Sequence, residues 1–345
     1  MGIFDSFRRE KKTEPVVTHE VVEVKEEPIS TPSAPLPEES ALHEAKTEQE
    51  EAKPEQEIVA EEQRYEETVE DQRFHQPLKT YAEKKPVDHT VGMTKIIAII
   101  NQKGGVGKST TAVNLSAALG EQGKQVLLVD LDPQGNATSG LGIEKGQLKN
   151  CIYDVLLNDV SIEDAIIPDV YEGLDLVPAT INLAGAEVEL VSEMARENRL
   201  KDAVGSMRGK YDYVFIDCPP SLGLLTVNAL VGADKLIIPI QTEFYALEGV
   251  TKLLESMKRV KSRLNPSLEI FGILLTMYDG RTTLSRQVAA EVRNYFGDQV
   301  FETIIPRTVK LSEAPSYGMP ITQYDPSGKG AASYMNLAKE VMNRG

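Results

Sequence analysis

A glycine-rich stretch, GGVGKST at residues 104–110, constrains the fold of this chain more than any other feature of the sequence. It follows a short apolar run at residues 95–100 and precedes a helical pattern that begins near Lys108. A strand, a glycine loop and a helix in this order predict a phosphate-binding loop. The usual pattern G-x-x-x-x-G-K-[ST] would place its first glycine at position 102, but this chain has Gln102, followed by a second lysine, Lys103.

The residues of this loop have separate expected roles. The ammonium group of Lys108 is expected at the β- and γ-phosphates, the Ser109 hydroxyl at Mg²⁺, and the Thr110 hydroxyl at a nearer phosphate. Glycines allow the backbone to wrap an anion with its N–H groups pointing inward. The predicted cradle consists of Gly104, Gly105, Val106 and Gly107.

Further apolar runs predict the sheet to which the loop belongs. They are nearly continuous in apolar residues and alternate with helical patterns, which is typical of a mostly parallel, twisted sheet with helices on both faces. The fold class expected is therefore an α/β P-loop NTPase. The predicted strands after the first are residues 125–132, 174–179, 211–217, 235–240, 271–277 and 300–306.

Acidic residues end two of these strands. Asp217 closes the run FID and is expected to hold Mg²⁺ through water. Asp132 lies just beyond the run LLVD and is expected to orient the attacking water, with Asp130 as the alternative. Asp132 also precedes a proline, so a role in forming a turn is its structural alternative.

ATP is the nucleotide that the sequence favours. No Asn-Lys-x-Asp motif, which would pair with guanine, follows the predicted strand 271–277. The segment IIPRTVK follows the last predicted strand, and its Pro306 and Arg307 are expected to wall the base.

Charge and composition divide the chain near residue 93. Residues 1–93 carry 23 Asp or Glu and 12 Lys or Arg, are rich in Glu and Pro, and lack apolar periodicity. Such a segment buries too little apolar surface to offset its ordering entropy, which predicts a disordered acidic tail with a transient helix at residues 40–70. The ATPase domain is expected at residues 94–345. Within it, residues 252–310 carry 10 Lys or Arg against 6 Asp or Glu, so an acidic chain still holds a local anion-binding region.

Compartment and membrane contact follow from the remaining features. Two cysteines, Cys151 and Cys218, have no metal-like spacing, and no run of 18 apolar residues occurs. These features predict a cytosolic protein without disulfides or membrane-spanning helices. Residues 1–12 combine apolar side chains at helical spacing with a basic cluster, so a weak contact with an anionic membrane is an alternative to an ordinary solvated terminus.

The motif KGGVGKST resembles the deviant Walker A motif of the ParA/MinD group of ATPases. Together with LLVDLDPQGNATSGLG, YDYVFIDCPPSLGLLTVNAL, QTEFYALEG and IPRTVKLSEAPSYGMPI, it makes residues 94–345 resemble the chromosomal ParA, or Soj-type, proteins. In that family the early lysine, here Lys103, reaches across a dimer interface to the partner's nucleotide. The resemblance thus adds Lys103 to Lys108 and Asp132, whose roles follow from the loop and the strand end, and these three are the expected catalytic residues.

The resemblance also implies the function and its partners. The family hydrolyses ATP weakly, forms a homodimer with ATP, binds DNA without sequence preference and associates with the nucleoid. A ParB-type centromere-binding protein stimulates hydrolysis, and the cycle segregates chromosomes or plasmids. In relatives, basic residues matching Arg281 and Lys310 contribute to DNA binding. The family often has arginine at the second position, so Lys310 keeps the charge but not the bidentate fork.

Two other functions remain open at this point, and a third is disfavoured. A nitrogenase-type iron protein needs two cysteines per subunit in matching motifs, which Cys151 and Cys218 do not provide. A MinD-like membrane-associated positioning ATPase would use a basic amphipathic helix, and only residues 1–12 resemble one. A DNA-binding regulator that uses ATP as a switch shares the loop. The basic helix around residues 252–263 is either a solvated face or part of a DNA surface.

Overall fold

A computed structural model of the chain describes residues 93–243 and 248–344. Its centre is a seven-stranded sheet with the strand order β3-β4-β2-β5-β1-β6-β7. All neighbouring strands are parallel except β3 and β4, which are antiparallel. This confirms the predicted α/β fold. The strands are β1 Lys95–Ile99, β2 Val126–Asp130, β3 Ile167–Tyr171, β4 Leu174–Val177, β5 Tyr213–Asp217, β6 Lys235–Gln241 and β7 Glu269–Thr276.

Helices connect the strands and cover the sheet. In chain order the α-helices are α1 Lys108–Gly120, α2 Asn136–Gly140, α3 Ile152–Leu157, α4 Ile162–Ala165, α5 Leu183–Glu189, α6 Arg199–Gly205, α7 Leu224–Gly232, α8 Glu248–Arg263, α9 Thr283–Phe296, α10 Val309–Glu313, α11 Ile321–Tyr324 and α12 Lys329–Asn343.

The sheet separates two apolar cores, because successive side chains of a strand point to opposite faces. In β1, Ile96 and Ala98 belong to one core, whereas Ile97 and Ile99 belong to the other. The first core contains residues from α3 to α9, and the second contains residues from α1, α2, α10, α11 and α12. Strands that are covered on both faces explain the nearly continuous apolar runs of the sequence.

The strands predicted from the sequence include one that is wrong and omit one that is present. The predicted strand 300–306 is wrong: this segment only forms isolated parallel bridges, Ile273 with Val300 and Tyr278 with Pro306. It runs beside β7 without a continuous ladder. The sequence also did not reveal β3, since its residues IPDVY are half-exposed and include a proline. A strand at the edge of a sheet needs only one apolar face, so its sequence signal is weak.

Some predictions concern parts of the chain outside the described residues. They are the disordered tail before residue 93, the transient helix at 40–70 and the membrane contact of residues 1–12. The division at residue 93 therefore stays a prediction. Among the described residues, no helix combines the length and the apolar character that crossing a membrane requires.

The close approach of α1 to the turn between β3 and β4 gives a test of the packing. A methyl group on Gly120 would clash with the carbonyl oxygen of Glu172, whereas one on Gly205 would meet no atom within 4 Å. We expect Gly120→Ala to lower the free energy of unfolding by about 1–3 kcal/mol because backbone atoms must move apart. Chemical denaturation measures this, and Gly205→Ala is the control. Equal stability of the two variants would contradict the packing.

Candidate nucleotide-binding site

The phosphate loop joins β1 to α1 at the edge of the sheet where the parallel strands end. Gly107 lies at the N-cap of α1 with φ 88°, and Gly105 has φ 72°, a left-handed backbone that side-chain-bearing residues rarely adopt. Gly104 and Gly105 are exposed, and α1 carries no acidic residue in its first turn. The positive end of a 13-residue helix therefore faces the loop, and no acidic side chain of the helix's own first turn offsets it.

Neighbouring strands hold the loop from beneath. The Asn101 amide donates to the carbonyl of Pro239 in β6 (2.7 Å) and accepts from the backbone N–H of Lys103 (3.0 Å). The Thr276 hydroxyl, at the end of β7, donates to the carbonyl of Val106 (2.9 Å). Sequence reasoning missed Asn101 and Thr276. Asn101 could have been found as a polar residue directly after a buried strand, but no sequence signal separates Thr276 from other strand threonines.

Lys108 is the charged group at the centre of the loop. It is only 6% exposed, and its ammonium group donates to the carbonyl of Lys103 at 3.4 Å. Burial lowers the pKa of Lys108, and the nearby carboxylates of Asp217 and Asp132 act in the opposite direction. Ser109 and Thr110 follow on α1 and are half-buried. The loop thus offers one buried cation, two hydroxyl-bearing residues and a helix N-terminus to a polyphosphate.

Asp217, at the end of β5, is a carboxyl group whose surroundings disfavour its ionised form. It is completely buried, and neither carboxylate oxygen has a hydrogen-bond partner. Burial raises the pKa of Asp217 well above its usual range, and Asp130, its direct neighbour in the register of β2 and β5, raises it further. The Ser109 hydroxyl offsets part of the rise without forming a well-formed hydrogen bond. A cation beside this carboxylate would compensate both the buried charge and the unpaired oxygens.

The residues present fit a magnesium ion. Among the described residues, no group of three or more His, Cys, Asp or Glu side chains is arranged to bind a metal. Mg²⁺ does not need such a group, because it keeps several waters and takes one or two protein ligands beside phosphate oxygens. Ser109 and Asp217 are the residues that would hold it. The ion would supply neutralisation of phosphate charge when bound.

The structure separates the two candidates for the water-orienting carboxylate. Asp130 accepts hydrogen bonds from the backbone N–H and the hydroxyl of Thr138, at 2.8 and 2.7 Å, so it anchors α2. Its burial raises its pKa to about 6. Asp132 accepts from the N–H of Gln134 through Oδ1 only, at 2.9 Å. Its Oδ2 makes no hydrogen bond with a described residue, which leaves Asp132 as the carboxylate available to a water.

Lys103 occupies a different environment from Lys108. Its side chain is 36% exposed, and its ammonium group lies 3.6 Å from Glu243, which follows β6. Glu243 also faces the Arg307 guanidinium at 3.9 Å and accepts from the amide of Gln241 at 2.6 Å. Lys103 is therefore held at the surface of the loop by a carboxylate of the same chain.

A cavity of about 420 Å³ lies beside this ion-pair network. Arg307 lines it, and the backbone N–H of Arg307 donates to the carbonyl of Tyr278 at 3.0 Å. Pro306 pairs with Tyr278 through a parallel bridge and does not line the cavity. The structure thus places Arg307 near Lys103, and the base-walling roles of Pro306 and Arg307 stay predictions. The lining residues are Lys103, Thr242, Glu243, Met277, Asp279, Thr282, Leu284, Ser285 and Arg307.

The two residues predicted to contact DNA are both engaged in local ion pairs. Arg281 donates to both carboxylate oxygens of Asp279, at 2.9 and 2.8 Å, and holds the pKa of Asp279 at about 2. Lys310, in α10, lies 2.9 Å from Glu313, which also accepts from the Tyr324 hydroxyl. Both cations are exposed, but each has a carboxylate partner in its own subunit.

The chain matches the AAA domain family (AAA_31) over residues 94–270. It is 58% identical to the sporulation initiation inhibitor protein Soj of Bacillus subtilis over 253 residues, which cover 73% of this chain and 100% of Soj. It is 54% identical to the chromosome partitioning protein ParA of Myxococcus xanthus, covering 74% of this chain and 89% of that protein. The chain belongs to the ParA/Soj family of P-loop ATPases.

Solved structures identify the ligands of the family. A cobyrinic acid a,c-diamide synthase from Mycobacterium smegmatis, with bound ADP and magnesium, shares 42% identity and superposes with a TM-score of 0.64. The match covers 73% of this chain and 95% of that one, and the same enzyme has been solved with an ATP analog and magnesium. ATP and Mg²⁺ are the nucleotide and the metal of this ParA-type P-loop family, as the sequence predicted.

Asp132 gives the most direct test of the site. We expect Asp132→Ala to keep ATP binding and stability, because only one turn hydrogen bond is lost, but to hydrolyse ATP roughly 100-fold more slowly or worse. Single-turnover hydrolysis and nucleotide titration measure the two properties. The exposed Asp298, exchanged for alanine, is the control. Normal turnover by Asp132→Ala would assign the role to another residue.

Proposed function

We propose that this chain is a partition ATPase that closes into a homodimer with ATP, binds DNA without sequence preference and is stimulated by a ParB-type protein. The observation that carries the proposal is the presence of two lysines with different environments on one phosphate loop. Lys108 is buried inside its own loop, whereas Lys103 is half-exposed and paired with Glu243. A lysine at the surface of the loop is suited to reach a nucleotide in a second subunit.

In the proposed cycle each residue has a defined task. Lys108 and the backbone cradle bind the phosphates of ATP, and Ser109 with Asp217 hold the metal. Asp132 orients the attacking water. Lys103 leaves Glu243 and contacts the partner's phosphates, so the exposed ion pair breaks when the dimer forms. Exposed pairs contribute about 0–1 kcal/mol, and a contact with a polyphosphate readily offsets this.

Partition, rather than the activity named for the Mycobacterium smegmatis enzyme, is favoured by the extent of the similarity. Soj and ParA match at 58% and 54% identity and along most or all of their length. The described α8–α12 region also carries the basic residues that a DNA surface needs, including Arg281 and Lys310. A nucleoid-associated protein that releases DNA on hydrolysis accounts for both the ATP site and these cations.

Residues 94–345 are proposed to form the ATPase domain, and residues 1–93 a separate acidic segment. Residues 1–93 contribute none of the proposed site residues, because every site residue named above follows residue 93.

One assay tests the proposed function as a whole. The ATP hydrolysis rate is measured for the full chain alone, with duplex DNA, with a ParB-type protein, and with both. We expect a low rate alone and a rise of at least about tenfold only when both are present. Stimulation by neither partner would contradict a partition cycle. Stimulation by anionic vesicles instead of DNA would favour a MinD-like function.

Lys103→Ala tests the role in the dimer. We expect this variant to bind an ATP analogue with near-normal affinity but to remain a monomer, because the contact it loses belongs to the partner's nucleotide. Light scattering with and without the analogue measures the change. Lys339→Ala, an exposed lysine on α12, is the matched control. A Lys103→Ala dimer as stable as the control would restrict Lys103 to a local role.

A further inference from the structure

Helix α8 carries a cluster of cations that the proposed site does not use. Its apolar residues Val250, Leu253, Met257 and Val260 are buried against the sheet. Its five basic residues are all exposed, and none makes an ion pair with a described residue. They are Lys252, Lys258, Arg259, Lys261 and Arg263. By contrast, Arg281 and Lys310 each form an exposed ion pair with a carboxylate of the same chain.

Helix stability explains only part of this cluster. Lys261 and Arg263 lie in the last turn of α8, where cations interact favourably with the negative end of the helix. Lys252 and Arg259 lie too far from that end to benefit. Glu255 has the spacing to pair with Arg259, four residues later, yet no ion pair joins them. The unpaired charge therefore has no partner within the described parts of the subunit.

Three of the cations form a stripe along one side of the helix. At about 100° per residue, Lys252, Arg259 and Arg263 lie within roughly 40° of one another. With a rise of 1.5 Å per residue they span about 16 Å, a length over which duplex DNA carries roughly ten phosphate charges. A row of cations on a rigid helix matches this regular row of anions without reading any base.

The direction of α8 links the stripe to the nucleotide site. The helix begins shortly after β6 ends, at the same edge of the sheet as the phosphate loop, and returns to the opposite edge because β7 is parallel to β6. Lys252 is therefore the end of the stripe nearest the loop. A dimer that closes through the two loops brings two stripes into one assembly and doubles the charge offered to DNA.

We propose that the stripe formed by Lys252, Arg259 and Arg263 on α8 is a contact surface for the phosphate backbone of duplex DNA. This inference rests on the proposed function and deepens it. It adds to the contacts predicted for Arg281 and Lys310 a helix whose cations make no ion pair with a described residue. Exposed ion pairs such as those of Arg281 and Lys310 are weak, so DNA phosphates can displace their carboxylates. Glu255 lies near the stripe and opposes binding.

The test is DNA affinity across a salt series. The full chain with a non-hydrolysable ATP analogue is titrated against a labelled random-sequence duplex at 50–200 mM salt, with fluorescence anisotropy as the readout. For the triple variant Lys252→Glu/Arg259→Glu/Arg263→Glu we expect an affinity loss of about tenfold or more. The slope of log affinity against log salt should fall by about 3 for each protomer engaged, since each phosphate contact contributes about 0.9.

Matched variants separate the stripe from a general change of charge. Lys124→Glu/Lys201→Glu/Lys339→Glu has the same charge change on other elements and is expected to keep a near-normal salt slope. Glu255→Gln is expected to strengthen binding, an effect that misfolding would not produce. Analogue binding and thermal unfolding are measured for every variant.

The outcomes are distinguishable. A triple variant that binds DNA like the wild type would overturn the stripe while leaving the proposed function intact. A wild type that binds no duplex with the analogue would overturn the proposed function and the stripe with it. If the α8 triple variant loses binding to anionic vesicles but binds DNA like the wild type, the stripe is a membrane contact, and this result would also overturn the inference. Equal losses of DNA affinity in both triple variants would show that net charge, and not the stripe, determines binding, and would overturn the inference.

Discussion

The buried, unpaired carboxyl group of Asp217 is the constraint on which the rest of the site depends. Its two oxygens lack partners, and Asp130 lies beside it on the neighbouring strand. A charge in this position is costly unless a cation compensates it. The structure places Lys108 and the hydroxyl of Ser109 toward it, and a Mg²⁺ ion held by Asp217 and Ser109 would complete the compensation. The apolar sheet fixes Asp217, so a metal bound beside it with the nucleotide would relieve a cost that folding imposes.

The cations of the described chain fall into two groups: those that form an ion pair with a carboxylate and those that do not. Close to the nucleotide edge, Lys103, Arg281 and Arg307 lie beside carboxylates of the same subunit. On α8 the cations have no such partners among the described residues. Paired cations are available only when a stronger anion displaces the carboxylate, whereas unpaired ones attract anions at longer range. The proposed cycle uses both kinds: the paired Lys103 for switching at the nucleotide, and the unpaired cations of α8, together with Arg281 and Lys310, for DNA.

Much of the fold and of the site followed from the sequence. The strand–loop–helix order fixed the place of Lys108 and Ser109, and apolar runs located six of the seven strands. The two errors about strands arise because an apolar run in the sequence reports burial and not strand pairing. Residues 300–306 are apolar because they pack beside β7, not because they form a ladder, and β3 lies at an edge where a half-exposed pattern suffices. Asn101 and Thr276 were missed because their role is to hold the loop from strands distant in sequence.

By itself the sequence determined the phosphate loop, the α/β class and the resemblance to the ParA/Soj family, because these depend on local spacing and on apolar periodicity. Only the tertiary structure showed which of Asp130 and Asp132 has a carboxylate oxygen without a hydrogen bond to a described residue. Asp130 is fully engaged by Thr138, and Asp132 keeps one oxygen available. It also decided that Lys103 pairs with Glu243, and that α8 rather than Arg281 or Lys310 carries unpaired charge. Lys103 and Glu243 are distant in the sequence, so only folding brings them together. Arg281–Asp279 and Lys310–Glu313 are local pairs, and the structure decided only that these neighbours do pair whereas Glu255 and Arg259 do not.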